Sequence, residues 1–253
     1  MRFVASLVLV LAMNDFRSRY RSQALGLVWA LVHPLAMMGI LTFVFRHVAK
    51  VDVADYPVFV LIGIVYWQFA TRAWTGATRV FVANSSVSKR ATFPRFVLPI
   101  SVVFSWSISA AIDSTLVLLI GFLLRGALHF GLTWVLIPVL VLVFEMLVVG
   151  LALLTSTLFA RFRDVLYMVE TSIIFVYWAT PVLYPMRLVP ERVRPFVYLN
   201  PFASFLEIFR AVLMTDAWPD PRVVAVAFIT ALLTFALGSF VYDKNAHVLS
   251  DYV

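Results

Sequence analysis

The chain has 253 residues, 63% hydrophobic and 13% charged, with a mean hydropathy of +0.97. Soluble domains average about 45–50% apolar and about 25% charged residues, so the composition excludes an ordinary soluble fold and points to a polytopic helical membrane protein with no stretch left for a separate soluble domain. The net charge of +7 does not argue for nucleic acid, because the cations sit at the ends of apolar runs, where topology and lipid headgroups account for them, and the lack of cysteine excludes disulfides.

Residues 1–23, MRFVASLVLVLAMNDFRSRYRSQ, come first. The apolar run after Arg2 has the look of a signal-peptide core, but a single Arg precedes it and no small-x-small cleavage site follows. Leu9, Met13, Phe16, Tyr20, Ala24 and Leu27 recur at helical spacing, with Asn14, Arg17 and Arg21 on another face. The pattern predicts an amphipathic helix in the membrane interface, with a short, partly inserted anchor as the alternative. The first span is residues 24–45, roughly 33 Å long at 1.5 Å per residue, enough for a ~30 Å hydrocarbon core. His33-Pro34 interrupts it and reads as a kink.

The second span, 56–82, contains Arg72 and Arg79, seven apart and on one helical face. A polar break with three cations follows at 83–95. The third span is 96–124 with Asp113 near its middle, the fourth 132–160 with Glu145, and the fifth 165–184 with Glu170 in its first turns. The sixth is 223–242. Between the last two lies TPVLYPMRLVPERVRPFVYLNPFASFLEIFRAVL, residues 180–213, too apolar for a loop and too charged for a span. It predicts two short helices that re-enter the bilayer, broken between Pro190 and Pro195 and again at Asn200-Pro201. Irregular backbone survives at membrane depth only when buried in protein or lining a wet path.

Six spans put both termini on one side. Arg2, Arg17, Arg19, Arg21, Lys89, Arg90, Arg95, Arg161, Arg163 and Lys244 then share that side, against Arg46, Lys50 and Arg125 on the short opposite connections. The positive-inside rule makes it cytoplasmic. Arg187, Arg192, Arg194 and Arg210, in the long outer stretch, weaken the contrast.

No GxxxxGK[ST] loop is present, so any ATPase driving this chain is another polypeptide. No HExxH spacing and no GxSxG elbow appear either. Asp113, Glu145 and Glu170 read either as a proton relay or as structural partners of Arg72 or Arg79. Tyr66, Trp67, Trp74, Tyr177, Trp178 and Tyr184 concentrate on two spans. They read either as a lining on which sugar rings stack or as bundle packing.

The run DFRSRYRSQALGLVW at 15–29 resembles the N-terminal signature of the ABC-2-type permeases that export polysaccharides. His33-Pro34 falls at that family's proline. Asn84, Val87, Lys89 and Phe93-Pro94 are similar to its connection between the second and third spans, and Arg161-Phe-Arg-Asp164 to its second cytoplasmic turn. Pro181, Tyr184, Pro190, Asn200-Pro201 and Arg210 match its re-entrant outer region. The similarity covers nearly the full length with element order intact.

The resemblance implies a single all-α transmembrane domain over 1–253, with 1–23 as interface helix, 83–95 as coupling segment and 185–213 as outer re-entrant region. It implies a homodimer in the cytoplasmic (inner) membrane, both termini cytoplasmic, with two copies of a separate ABC ATPase that holds the ATP and magnesium. This chain then carries no cofactor, metal or catalytic site and binds no nucleic acid. The cargo is a lipid-linked polysaccharide such as O-antigen, moved outward from the cytoplasmic leaflet. Ser85, Val87, Lys89, Arg90 and Phe93 meet the ATPase. Arg17, Arg19 and Arg21 lie where the lipid pyrophosphate enters. Pro190, Pro195, Asn200, Pro201 and Arg210 shape an outer gate. The alternatives are an ABC-2 exporter of a drug or lipid, and a proton-coupled secondary transporter using the three acids.

Overall fold

The computed structural model describes residues 2–21, 28–48, 50, 53–85, 93–125 and 131–246; Val87, Lys89 and Arg90 lie outside them. The described residues form helices and no strand. The helices are α1 (Arg2–Arg21), α2 (Val28–Phe43), α3 (Tyr56–Thr78), α4 (Val80–Ala83), α5 (Val97–Arg125), α6 (Ile137–Arg161), α7 (Val165–Ala179), α8 (Arg194–Tyr198), α9 (Pro201–Arg210) and α10 (Pro221–Asn245). Short π turns extend α2 and α9, and 3-10 turns precede α6 and α8.

Proline marks several helix starts. It occupies the first or second position of α3, α6, α8, α9 and α10, where its missing N–H costs nothing. Asn200 caps α9 and Asp220 caps α10, each side chain accepting from a backbone N–H two residues on.

Among the described residues, five runs are long and apolar enough to cross a membrane: Val28–Val48, Tyr56–Thr78, Val97–Leu124, Leu132–Arg161 and Pro221–Asn245. Two expected spans differ from the sequence reading. The second, expected over 56–82, breaks at Arg79, which sits between α3 and α4. The fifth, expected over 165–184, is helical only as Val165–Ala179, 15 residues. That is roughly 22 Å of helix, short of a ~30 Å core. The cause is Pro181: a residue before proline is pushed out of the α region, and Thr180 is extended at φ −102° and ψ 131°.

α3 is the centre of the bundle. Most of its residues are buried, and α2, α5, α6, α7 and α9 all pack on it. α9 is amphipathic and buries Phe202, Phe205, Leu206, Ile208 and Phe209 in the same core. α10 lies against α6, with the Gly150 and Gly238 backbones in contact; a Cβ on Gly150 would meet the Phe235 backbone at 2.6 Å. Small residues permit such close helix approach in membranes. α1 packs along α5, burying Val8 and Ala12 and leaving Leu9 and Met13 facing outward.

Candidate functional site

The extended chain after α7 has carbonyls that no helix or strand satisfies. Side chains from α3 and α9 take them up. Arg210 Nη1 donates to the Pro181 carbonyl at 2.6 Å, and Nη2 to Val182 at 2.7 Å and Phe59 at 3.4 Å. The Tyr56 hydroxyl donates to the Leu183 carbonyl at 2.8 Å. Asn200, already capping α9, donates from Nδ2 to the Thr180 hydroxyl at 2.7 Å. Thr180 in turn donates to the Val176 carbonyl in the last turn of α7.

Arg210 is 4% exposed and makes no ion pair within 4 Å among the described residues. Its charge is met by carbonyl dipoles and by the Phe59 ring, whose centroid lies 3.5 Å from the guanidinium carbon. Gly63 makes room for this arrangement, since a Cβ there would lie 2.6 Å from the Val182 oxygen and 2.8 Å from Arg210 Nη2. Arg194 repeats the device farther along, donating to the Val189 and Arg187 carbonyls. Pro190 and Pro195 are exposed. A cleft of about 510 Å³ opens beside them, lined by Tyr184, Pro190, Phe196 and Asn200 among others.

The six aromatics separate into two groups. Tyr66, Trp67 and Trp74 are buried in the core. Tyr66 stacks on Phe209 with centroids 3.9 Å apart, Trp67 packs on Phe202, and Trp74 Nε1 donates to Thr155. Trp178 is 69% exposed and Tyr184 half-buried, while Tyr177 bridges the groups with contacts to Trp67 and Trp178.

The three acids do not gather: no group of three or more His, Asp or Glu side chains able to share an ion occurs among the described residues. Glu170 forms an ion pair with Arg79. Glu145 lines an apolar cavity of about 260 Å³ with Tyr66, Ser107 and Ser114. Asp113 is buried, with Oδ1 lacking a hydrogen-bond partner.

Among the N-terminal arginines, Arg17 and Arg21 are exposed. Arg19 turns inward, pairs with Asp15 at 3.3 Å and donates to Ser105. Burial lowers the pKa of its guanidinium, and Asp15 opposes that shift. Ser85 and Phe93 flank the undescribed residues 86–92. Sequence reasoning missed Tyr56, Gly63 and Trp106 as partners of these groups. A glycine inside an apolar helix was the available signal for Gly63; a hydroxyl or an indole in an apolar run carries none.

The family model described as ABC-2 type transporter matches residues 6–214. The O-antigen export system permease protein RfbA of Klebsiella pneumoniae is 27% identical over 243 residues, 96% of this chain and 93% of that protein. Its namesake from Myxococcus xanthus is 28% identical over 94% of this chain and 92% of its own length. The polysialic acid transport protein KpsM of Escherichia coli is 21% identical over 94% and 93%. With five apolar helices of spanning length among the described residues and a family match over well more than half the chain, this is a multi-pass membrane protein, and the chain belongs to the ABC-2 type transporter family.

Proposed function

We propose that the chain is the membrane subunit of an ATP-driven exporter that carries a lipid-linked polysaccharide of the O-antigen type outward across the cytoplasmic (inner) membrane. The observation that carries this reading is the near full-length match to O-antigen export permeases. Two copies pair, and each docks a separate ABC ATPase. Both termini are cytoplasmic. α7 with the extended residues after it makes a sixth crossing, and 185–213 re-enters from outside.

ATP binding closes the two ATPases, which push on the coupling segment at Ser85, Val87, Lys89, Arg90 and Phe93. The push reaches α7 through the Arg79–Glu170 pair, and the two permeases tilt apart along α2 and α7. The lipid pyrophosphate engages Arg17, Arg19 and Arg21 at the cytoplasmic side. Sugar rings then slide over Tyr177, Trp178 and Tyr184, where weak repeated stacking avoids a deep trap. Tyr66, Trp67 and Trp74 back these residues from the core. The outer region, pinned by Asn200, Pro201 and Arg210 and turned by Pro190 and Pro195, gates the exit.

The reading is tested by substituting Arg90 and Phe93 together. ATP hydrolysis by the assembled complex should persist while glycan export falls; unchanged export removes the coupling role. Lipid-linked glycan should also stimulate hydrolysis more than a drug or a simple phospholipid does, and equal stimulation favours the same scaffold with another cargo.

A further inference from the structure

The cavity of about 260 Å³ beside Glu145 lies off the proposed export path. Its walls come from α3, α5 and α6, and not from α2 or α7. Three rings line it: Tyr66 and Phe69 of α3 and Phe144 of α6. The Phe144 centroid is 5.7 Å from that of Phe69 and 6.3 Å from that of Tyr66. Glu145, Ser107 and Ser114 supply the polar atoms. Ala111 also lines the cavity, is exposed and sits midway along α5 (Val97–Arg125), so the cavity opens through the side of the bundle rather than at an end.

Glu145 stands eight residues inside α6, roughly 12 Å from its start at Ile137. A carboxylate at such depth is costly unless it is paired or faces a cavity. Among the described residues Glu145 has no ion pair within 4 Å and no charged group in its field. The arginines that reach into the bundle gather elsewhere: Arg19 and Arg72 lie 3.7 and 5.5 Å from the Trp106 centroid, and Asp113 lies in the field of Arg72. None of these three lines the cavity. Ser107 is the polar neighbour of the Glu145 carboxyl. Its single proton, however, goes to the Val103 carbonyl at 3.1 Å, and that of Ser114 to the Ala110 carbonyl at 2.7 Å.

The cavity thus joins an acid without a cation to three aromatic rings and an opening toward lipid. An anion finds no basic group among its lining residues. An alkylammonium ion suits all three features: its charge meets the carboxylate, its N-methyl groups meet aromatic rings, and its chain stays in hydrocarbon. We infer that this cavity is a lateral site for an alkylammonium amphiphile, with the cationic head between Glu145 and the rings of Tyr66, Phe69 and Phe144 and the chain passing Ala111 into the bilayer. The site needs neither glycan nor ATPase to fill.

The test uses the purified full-length permease in dodecylmaltoside, an uncharged detergent, with radiolabelled dodecyltrimethylammonium as probe and protein-free micelles as baseline. Binding should saturate above that baseline. Unlabelled probe should displace the label, and 2,2-dimethyltetradecane, which puts carbon in the place of the nitrogen, should not. Glu145→Gln should weaken binding about tenfold or more, as expected for losing a charge-assisted contact. Ala111→Leu, which narrows the exposed mouth, should weaken it as well. Absent saturable binding, equal displacement by the neutral compound, or unchanged affinity in Glu145→Gln overturns the proposal. If gel filtration shows that Glu145→Gln does not fold, Ala111→Leu decides, and unchanged affinity there is the overturning result. A permease that binds the probe through Glu145 yet exports no glycan with its ATPase removes the export reading and leaves this site standing.

Discussion

Arg210, at the last turn of α9, donates to the carbonyl of Pro181, the residue that ends α7. One buried guanidinium therefore supplies the hydrogen bonds that the interrupted helix cannot, and ties the end of α7 to α9 and to Phe59 on α3.

Removing that donor set orphans the Pro181 and Val182 carbonyls, at about 1–3 kcal/mol each. Arg210→Gln should lower the thermal midpoint of the purified permease sharply or cut the yield of folded protein. Arg210→Lys should rescue less than half of the loss, because an ammonium cannot reproduce the two-pronged fork. A Lys variant as stable as the parent would show that charge alone, without the fork, holds the segment.

The Arg79–Glu170 pair lies at the break between α3 and α4, next to the proposed coupling segment, and both side chains are substantially exposed, at 51% and 41%. Exposed pairs contribute about 0–1 kcal/mol to stability, so Arg79→Glu and Glu170→Arg should each leave the protein folded. Each should separate ATP hydrolysis from export, and the double exchange should restore coupling. Full coupling in both single variants would take the pair out of the transmission route.

Trp67 and Trp178 test the division among the aromatics. Trp67 is buried against Phe202 and Tyr177, and Trp67→Ala should cost about 3–5 kcal/mol and deplete folded permease. Trp178 is 69% exposed, and Trp178→Ala should leave folding near the parent level while slowing glycan passage. Quantitative gel filtration beside an export assay reads both. Equal loss of folded protein in the two variants would make Trp178 a packing residue as well.

Much of the fold was legible because membrane helices announce themselves by length and apolarity: the runs around Tyr56–Thr78 and Leu132–Arg161 follow directly from composition. The break at Asn200-Pro201 was equally visible, since a capping side chain before proline is a local signal. The early end of α7 was hidden because the apolar run continues through Leu183, and only the pre-proline constraint on Thr180 stops the helix. The partners of Arg210 were out of reach for another reason. They are backbone carbonyls 28, 29 and 151 residues away, and a carbonyl acceptor leaves no trace in residue identity. Trp106, which gathers Arg19 and Arg72, looked like any other aromatic in an apolar span until α1 was seen against α5.

On the proposed function, this chain conducts a lipid-linked glycan only when a separate ATPase drives it. The most direct measurement reconstitutes the purified permease in liposomes, alone and with its ATPase, and follows protection of labelled lipid-linked glycan as it moves across the bilayer. The expected result is no ATP hydrolysis and no movement with the permease alone, and ATP-dependent movement once the ATPase is added. ATP hydrolysis by the permease alone, or glycan movement driven by a proton gradient without the ATPase, would contradict it.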